Sequence, residues 1–314
     1  MDRMLCDNAM GEEAGEGEIG ELAYDAEMDG QGHDSAVCDV CPHSCRIAPG
    51  RSGFCGARRN EGASVIDANY GMATALALDP IEKKPLARFH PGAYILSYGS
   101  FGCNLSCAFC QNSDISMSDA GSMVASRSTY IAPDTLVENA RQLTDRGNIG
   151  VAFTYNEPLI APEYLRDVGI LLHEEGLVSV VVTNGYCQPK TFQRSLPYMD
   201  ALNIDLKCFS EEGYERLKAP NGLQTVCSNI RSAVEKGKHV EVTTLVVPGL
   251  SDDESEFEKE CEWLASVDPE IVLHISRFFP RYRMVDEEPT DIGLMRRFRD
   301  IAESRLRYVE LGNV

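Results

Sequence analysis

Three cysteines in the stretch GCNLSCAFCQN, residues 102–112, have the spacing of a metal-binding motif. Three residues separate Cys103 from Cys107, and two separate Cys107 from Cys110. Four thiolates close a structural zinc or iron–sulfur site, whereas three leave one metal position open for chemistry. The spacing therefore predicts a reactive metal centre. A zinc site completed by a distant ligand is the alternative.

A second cysteine group precedes the first one in the stretch CDVCPHSCRIAPGRSGFCGAR. Cys38, Cys41, Cys45 and Cys55 open with a Cys-x2-Cys pair and predict a closed metal site. The stretch has few large apolar residues, so bound metal would stabilise it. Zinc would be structural and a second iron–sulfur cluster could relay electrons; the spacing fits both. His43 is a possible substitute ligand, but we expect it to face solvent.

Charge and composition exclude several classes of protein. The chain has 314 residues and a net charge of -20, which argues against binding to nucleic acid as its main activity. Residues 1–35 hold eleven Asp or Glu and one Arg, are rich in Gly and poor in large apolar residues. This composition predicts a disordered acidic tail.

The sequence shows no targeting or membrane signal. The first residues, MDRMLCDNAMGEE, lack an apolar run, and no segment reaches the roughly 18 apolar residues of a membrane span. Twelve cysteines without a secretion signal favour metal ligation or redox chemistry over disulfides. We expect a cytoplasmic protein without a membrane partner.

Apolar runs and amphipathic stretches alternate from about residue 93 onward. Short connections between such units predict an α/β fold with a parallel sheet, either open or closed into a barrel. The predicted strands are residues 93–99, 150–155, 177–183, 201–205, 239–247, 270–276 and 307–311.

Helix signals lie between these runs. Pro133 opens one predicted helix, for which Gly147 is the stop, and Pro162 opens another that ends at Gly176. Ser251 is the predicted N-cap of the helix in SDDESEFEKECEWLA.

Polar residues recur where the predicted strands end. Because ligands bind beyond the carboxyl ends of parallel strands, we expect these residues to meet at one site. They are the three cysteines of residues 102–112, the stretch TYNEP (154–158), the stretch TNG (183–185), Asp205 with Lys207, and His274 with Arg277.

These motifs together resemble the radical S-adenosylmethionine (radical SAM) superfamily. The stretches ALALDPIEKKPLARFHPG, SYGSFGCNLSCAFCQN, FTYNEP, VTNGY, NIDLK and HISRFFP are similar to the radical SAM component of the AmmeMemoRadiSam system. That branch is related to pyruvate formate-lyase activating enzyme. The resemblance covers about residues 37–314 and implies a partial (β/α)6 TIM-like barrel over residues 61–314, after a Cys-rich metal-binding segment at 36–60.

The resemblance implies two cofactors. Cys103, Cys107 and Cys110 would hold three irons of a [4Fe–4S] cluster, and S-adenosylmethionine would chelate the fourth. Reductive cleavage of S-adenosylmethionine would give a 5′-deoxyadenosyl radical that abstracts hydrogen from a substrate. A low-potential electron donor such as flavodoxin or ferredoxin would supply the electron, and air would inactivate the enzyme.

The resemblance also assigns residues to the cofactor. Thr154, Asn156 and Glu157 would line the methionyl amino group, and Lys207, beside Asp205, would meet the methionyl carboxylate. A solvated salt bridge is the alternative for that pair. The remaining predicted cofactor-binding residues are Phe109, Asn184 and His274. A core histidine is the alternative for His274, and Gly185 is expected to let the backbone pass close to the cofactor.

The sequence leaves the substrate open. A glycyl-radical activase acting on a partner protein and a non-catalytic iron–sulfur electron carrier are the two alternatives to hydrogen abstraction from another substrate. Cys187 and Cys208 follow predicted strands, so either thiol is a candidate catalytic residue.

Overall fold

A mainly parallel sheet flanked by helices forms the centre of the protein. The structure is a computed structural model that describes residues 35–117 and 124–314. The predicted acidic tail, residues 1–35, lies outside the described residues except for Ser35. Within the two described ranges, no helix combines the length and the apolar composition that a membrane span requires.

Strands and helices alternate along the described chain. The strands are β1 (Ala36–Val37), β2 (Arg46–Ile47), β3 (Arg58–Glu61), β4 (Ser64–Asp67), β5 (Met72–Ala73), β6 (Ala75–Pro80), β7 (Tyr94–Gly99), β8 (Thr129–Tyr130), β9 (Asn148–Phe153), β10 (Val178–Thr183), β11 (Ala201–Asp205), β12 (His239–Val246), β13 (Val272–Arg277) and β14 (Tyr308–Gly312). The helices are α1 (Ser113–Ser116), α2 (Pro133–Gln142), α3 (Pro162–Glu174), α4 (Pro189–Ser195), α5 (Glu211–Arg216), α6 (Gly222–Glu235), α7 (Glu254–Val267) and α8 (Ile292–Glu303).

One open sheet contains the longer strands, in the order β14-β13-β12-β11-β10-β9-β7-β6. Each neighbouring pair from β7 to β14 is parallel, and helices connect each of these strands to the next. The seven apolar runs of the sequence correspond to these parallel strands, so the predicted α/β class is confirmed. The apolar pattern does not predict β6, which pairs antiparallel with β7 at one edge.

Prolines begin two of the helices as predicted, although the first of these helices ends at Gln142, before the predicted stop at Gly147. α2 begins at Pro133 and α3 begins at Pro162. Gly147, with a φ of 84°, ends the turn that follows α2, and Gly176, with a φ of 68°, follows α3. Glycine adopts this left-handed conformation without the steric cost of a Cβ.

The N-cap of α7 is Asp253, and the prediction of Ser251 was wrong. The Asp253 carboxylate accepts hydrogen bonds from the backbone N–H groups of Ser255 and Glu256, each at 2.9 Å. The Ser251 hydroxyl instead donates to the Leu245 carbonyl at 2.6 Å and fixes the loop before the helix. Both residue types cap helices, so the sequence alone does not separate them.

Residues 81–88, here called the floor segment, cover part of the inner face of the sheet. Ile81 and Leu86 pack on inner-face side chains of four neighbouring strands, namely Ile95, Ala152, Val180 and Ala201. The Asn203 side-chain amide donates to the Pro85 carbonyl at 2.9 Å. The floor segment thus closes the inner face near the amino ends of the strands, while polar side chains occupy the carboxyl ends.

The strands of the N-terminal region form small antiparallel sheets. β1 pairs with β2, β3 pairs with β4, and β5 pairs with β8. The predicted boundary at residue 60 falls within β3. The Arg58 guanidinium of β3 forms a bidentate ion pair with the Glu163 carboxylate of α3, with N–O distances of 2.7 and 2.9 Å. This pair holds the N-terminal region against the helix layer.

Candidate active site

A cavity of about 830 Å³ lies beyond the carboxyl ends of the parallel strands. Its volume falls in the range of roughly 300–1,000 Å³ that small-ligand pockets occupy. The lining contains every residue predicted to bind the barrel cluster or the cofactor: Cys103, Cys107, Phe109, Cys110, Thr154, Asn156, Glu157, Asn184, Asp205, Lys207 and His274. The structure therefore brings together residues that are far apart in the sequence.

Cys103, Cys107 and Cys110, here called the barrel cysteines, lie on the loop after β7. Cys103 Sγ accepts a hydrogen bond from the Leu105 backbone N–H at 3.4 Å and from the Asn184 side-chain amide at 3.6 Å. Burial raises the pKa of the Cys107 thiol to about 12, although the nearby Lys207 ammonium opposes this rise. Such donors and cations stabilise the thiolate form that binds iron, so the residues fit a [4Fe–4S] cluster bound at three irons.

Asn156 holds the cysteine loop in place. Its Oδ1 accepts a hydrogen bond from the Ser100 N–H at 2.9 Å, and its Nδ2 donates to the Phe101 and Gly102 carbonyls, each at 3.2 Å. The side-chain amide is therefore bonded to the backbone just before Cys103. Its most direct role in this geometry is to position that loop.

Glu157 is a buried carboxylate with one acceptor position left. Its Oε1 accepts from the Thr183 hydroxyl at 2.6 Å and from the Leu159 N–H at 2.9 Å, and its Oε2 accepts from the Asn184 N–H at 2.8 Å. Burial raises the pKa of Glu157 to about 7 despite these bonds. Each carboxylate oxygen can accept two hydrogen bonds. Within residues 35–117 and 124–314, Oε2 accepts only one.

Sequence reasoning missed Tyr155, which lies between two predicted site residues. Tyr155 has a left-handed φ of 71°, and its hydroxyl donates to Asp79 Oδ2 at 2.9 Å. A Cβ at Gly99 would lie 2.7 Å from the Tyr155 ring, so only glycine leaves room there. Lys84 and Asp79 were also missed, although both stand in the quoted stretch ALALDPIEKKP, because the charged residues of this stretch give no local sign of burial.

Asp205 and Lys207 form an ion pair on the cavity wall, with Nζ and Oδ2 2.7 Å apart. The side chains are only 29% and 16% exposed, which disfavours the alternative of a solvated salt bridge. Burial alone would lower the pKa of Lys207, but the charges of Asp205 and the cysteines outweigh burial and raise it. Lys207 is thus a fixed cation beside Cys107.

His274 is held by a buried carboxylate at the cavity. It is 9% exposed and lines the cavity, while its Nε2 lies 2.6 Å from Glu241 Oε2. Glu241 also accepts hydrogen bonds from the His239 ring and from the backbone N–H groups of Ala87 and Arg88. This carboxylate therefore fixes both the imidazole and the floor segment.

Other predicted residues lie away from the cavity lining. The Cys187 thiol contacts the Val40 carbonyl at 3.3 Å, and the Cys208 thiol contacts the Ser210 carbonyl at 3.6 Å. Burial raises the pKa of both thiols. A Cβ at Gly185 would lie 2.9 Å from the Ile204 side chain, so this glycine permits a close approach to the core.

The four N-terminal cysteines receive backbone N–H donors. Cys45 Sγ accepts from the Phe54 N–H at 3.4 Å and Cys55 Sγ accepts from the Arg58 N–H at 3.5 Å. Cys38 and Cys41 have backbone donors as well. Among the described residues, no three His, Cys, Asp or Glu side chains have the spacing of ligands to one metal ion.

His43 does not face solvent as expected. Its Nε2 lies 2.9 Å from the Asn104 carbonyl, and its ring stacks on Phe54 with centroids 4.3 Å apart. Because Asn104 follows Cys103, this hydrogen bond joins the N-terminal cysteine segment to the loop of the barrel cysteines.

Two known proteins are similar in sequence to this chain. An uncharacterized protein of Methanocaldococcus jannaschii is 35% identical over 279 residues, which cover 88% of this chain and 81% of that protein. The pyruvate formate-lyase-activating enzyme of Clostridium pasteurianum is 26% identical over 160 residues, covering 50% of this chain and 64% of that enzyme.

A solved structure shares the fold, and a family model covers the middle of the parallel sheet. The crystal structure of a radical SAM methyltransferase from Sphaerobacter thermophilus matches with a TM-score of 0.51 and 18% identity, over 71% of this chain and 67% of that chain. The family model of the Radical SAM superfamily matches residues 98–264, which include the cysteine loop and the TYNEP, TNG and NIDLK stretches. The chain belongs to the radical SAM superfamily.

Proposed function

We propose that the cavity binds a [4Fe–4S] cluster and S-adenosylmethionine and cleaves the latter reductively, so that a 5′-deoxyadenosyl radical abstracts hydrogen from a substrate. The observation that carries this proposal is the cavity lining, which unites three cysteines, a carboxylate with a free acceptor position and a fixed lysine. The narrower resemblance to the AmmeMemoRadiSam branch stays a prediction.

The protein's own residues would bind and orient. Cys103, Cys107 and Cys110 would hold the cluster. Glu157 would accept a hydrogen bond from the methionyl ammonium, and Lys207 would pair with the methionyl carboxylate, since both are charge-assisted contacts.

Release of 5′-deoxyadenosine tests the reaction. Anaerobically reconstituted protein should release it when dithionite and S-adenosylmethionine are added, and Cys107→Ala should abolish the release. Cys261→Ala is the control, because Cys261 is a buried thiol of α7 outside the cavity lining. No release from the wild type would reject the proposal and leave the electron carrier as the better explanation.

We propose further that Cys38, Cys41, Cys45 and Cys55 hold a second metal centre. Their backbone N–H donors support this, as does the hydrogen bond from His43 to the cysteine loop of the barrel. Zinc in this site would be structural. An iron–sulfur cluster beside the loop that carries Cys103 could instead relay electrons.

Metal analysis separates the choices for this second site. Two clusters predict about eight irons per chain, and Cys45→Ala should reduce this to about four. About one zinc and four irons per chain would favour the structural zinc site instead. Four irons without zinc, unchanged in Cys45→Ala, would reject a second metal.

The substrate separates two versions of the enzyme. Similarity to a pyruvate formate-lyase-activating enzyme favours a glycyl-radical activase as the second candidate. An activase should co-purify with a large partner protein, and a protein radical should appear in that partner after turnover. Turnover that leaves no protein radical and alters a small molecule would favour the first version. In both versions a flavodoxin or ferredoxin would supply electrons.

A further inference from the structure

Lys84 is a buried lysine of the floor segment that lines the cavity. It is 3% exposed, and its Nζ donates to Asp79 Oδ2 at 3.0 Å and lies 4.7 Å from the centroid of the Tyr155 ring. An ammonium has three N–H donors. In the part of the chain that the structure describes, Asp79 is its only hydrogen-bond acceptor, so a buried cation keeps donors for a ligand.

Asp79 positions the Lys84 ammonium but uses only one of the three N–H donors of that ammonium. Its carboxylate also accepts from the Ser97 hydroxyl and the Tyr155 hydroxyl, each at 2.9 Å, and from Lys83 Nζ at 3.3 Å. Burial would raise the pKa of Asp79, but these bonds outweigh burial and hold its pKa well below the usual range. The carboxylate is therefore a fixed anion shared among four donors.

The floor segment that carries Lys84 is held rigidly. The Glu241 carboxylate accepts hydrogen bonds from the Ala87 N–H at 2.8 Å and the Arg88 N–H at 2.9 Å, and Asn203 binds the Pro85 carbonyl. Because its neighbours are fixed, Lys84 is pre-organised to meet a ligand. The cysteine loop forms another part of the same lining.

We propose that Lys84 binds an anionic oxygen group, a carboxylate or a phosphate, of the substrate at the floor of the cavity. This assignment rests on the proposed function, because it takes the cavity as the place where cofactor and substrate meet. Lys207 is the lysine predicted to meet the methionyl carboxylate, which leaves Lys84 for the substrate. An ammonium forms its strongest hydrogen bonds with anionic oxygen atoms, because such bonds are charge-assisted.

Equilibrium dialysis tests the proposal with simple anions. Reconstituted holoenzyme is saturated with S-adenosylmethionine without reductant, so that the cofactor fills its own site and is not consumed. Radiolabelled inorganic phosphate and acetate are the two probes. Both wild type and variants are checked for folding by thermal unfolding.

Lys84→Met should weaken binding of the preferred anion about tenfold or more, because a charge-assisted hydrogen bond is lost. Lys83→Met is the matched control: its side chain is 66% exposed, shares Asp79 and lines the same cavity. It should change binding less than about threefold. Preference for phosphate or for acetate identifies the substrate group.

Three results would overturn the proposal. The wild type could bind neither anion, Lys84→Met could bind the anion as tightly as the wild type, or Lys83→Met and Lys84→Met could lose anion affinity to the same extent. The release of 5′-deoxyadenosine is measured separately with dithionite. If the wild type binds anions through Lys84 but releases no 5′-deoxyadenosine, the proposed cleavage reaction is wrong and the anion site stands. If release is normal and Lys84→Met binds anions normally, only the anion site is wrong.

Discussion

The side-chain amide of Asn184 donates a hydrogen bond to the Cys103 sulfur, with Nδ2 and Sγ 3.6 Å apart. The same amide donates to Asn104 Oδ1 at 2.9 Å, while its oxygen accepts from the Tyr186 N–H at 2.8 Å. The end of β10 is thereby bonded to the first cysteine of the loop after β7. Hydrogen bonds to cluster sulfurs are among the features that set reduction potential.

Replacing this amide should therefore shift the potential of the proposed cluster. Asn184→Leu removes the donor at similar volume, and we expect a more negative potential in a redox titration followed by electron paramagnetic resonance. Asn229→Leu is the control, because the Asn229 amide bonds the Gly185 and Cys187 carbonyls and no sulfur. Equal potentials in the Asn184 variant and the wild type would contradict this role.

Lys207 should contribute to cofactor affinity. Lys207→Met removes the cation proposed to meet the methionyl carboxylate, and the dissociation constant of S-adenosylmethionine should rise about tenfold or more. Equilibrium dialysis without reductant measures it. Lys190→Met, at an exposed lysine of α4, should leave it unchanged. Unaltered affinity in Lys207→Met would remove Lys207 from the site.

Glu260 should make stability depend on pH. Burial raises its pKa from 4.5 to about 8, and the Thr244 hydroxyl donates to it. Between these values the folded protein keeps a proton that the unfolded chain has released. The free energy of unfolding should then fall as pH rises, by up to about 1.4 kcal/mol per pH unit from this group.

The variant Glu260→Gln keeps a hydrogen-bonding side chain but cannot titrate. Urea unfolding at several pH values between 5 and 8 should show a shallower loss of stability in this variant than in the wild type. Glu258→Gln, at a surface residue of the same helix, should retain the wild-type slope. Identical slopes in Glu260→Gln and the wild type would show that Glu260 ionises normally.

Deleting residues 1–35 should leave 5′-deoxyadenosine release unchanged within about twofold. Every residue that lines the cavity lies between Glu82 and Asn313, so no described contact of the site depends on the deleted segment. Rates of release per cluster in the full and shortened chains measure the effect. A loss of release would contradict the prediction that this acidic segment is a dispensable tail.

The parallel strands and their shared edge were predictable because buried strands leave a strong apolar signal. VSVVVT in β10 is apolar or small throughout, since helices cover one face and the floor segment covers part of the other. Most polar residues predicted just after such runs line the cavity, whereas Arg277, Cys187 and Cys208 do not. The family resemblance supplied their roles, which the geometry alone does not.

The floor of the cavity was not predictable from local patterns. Ile81 and Leu86 are two apolar residues in a short charged stretch, and their burial depends on strands that follow later in the chain. Lys84 and Asp79 likewise become buried only after β6 joins the edge of the sheet. Local sequence patterns do not predict this burial, because it depends on the assembled sheet rather than on a neighbouring element.

The most direct test of the central claim is electron–nuclear double resonance on the reduced protein with S-adenosylmethionine carrying ¹⁵N in its amino group. If three cysteines hold the cluster and the cofactor completes it, the ¹⁵N nucleus should couple to the cluster spin, and Cys107→Ala should lose this coupling. A reduced cluster that shows no ¹⁵N coupling in the wild type would contradict the account.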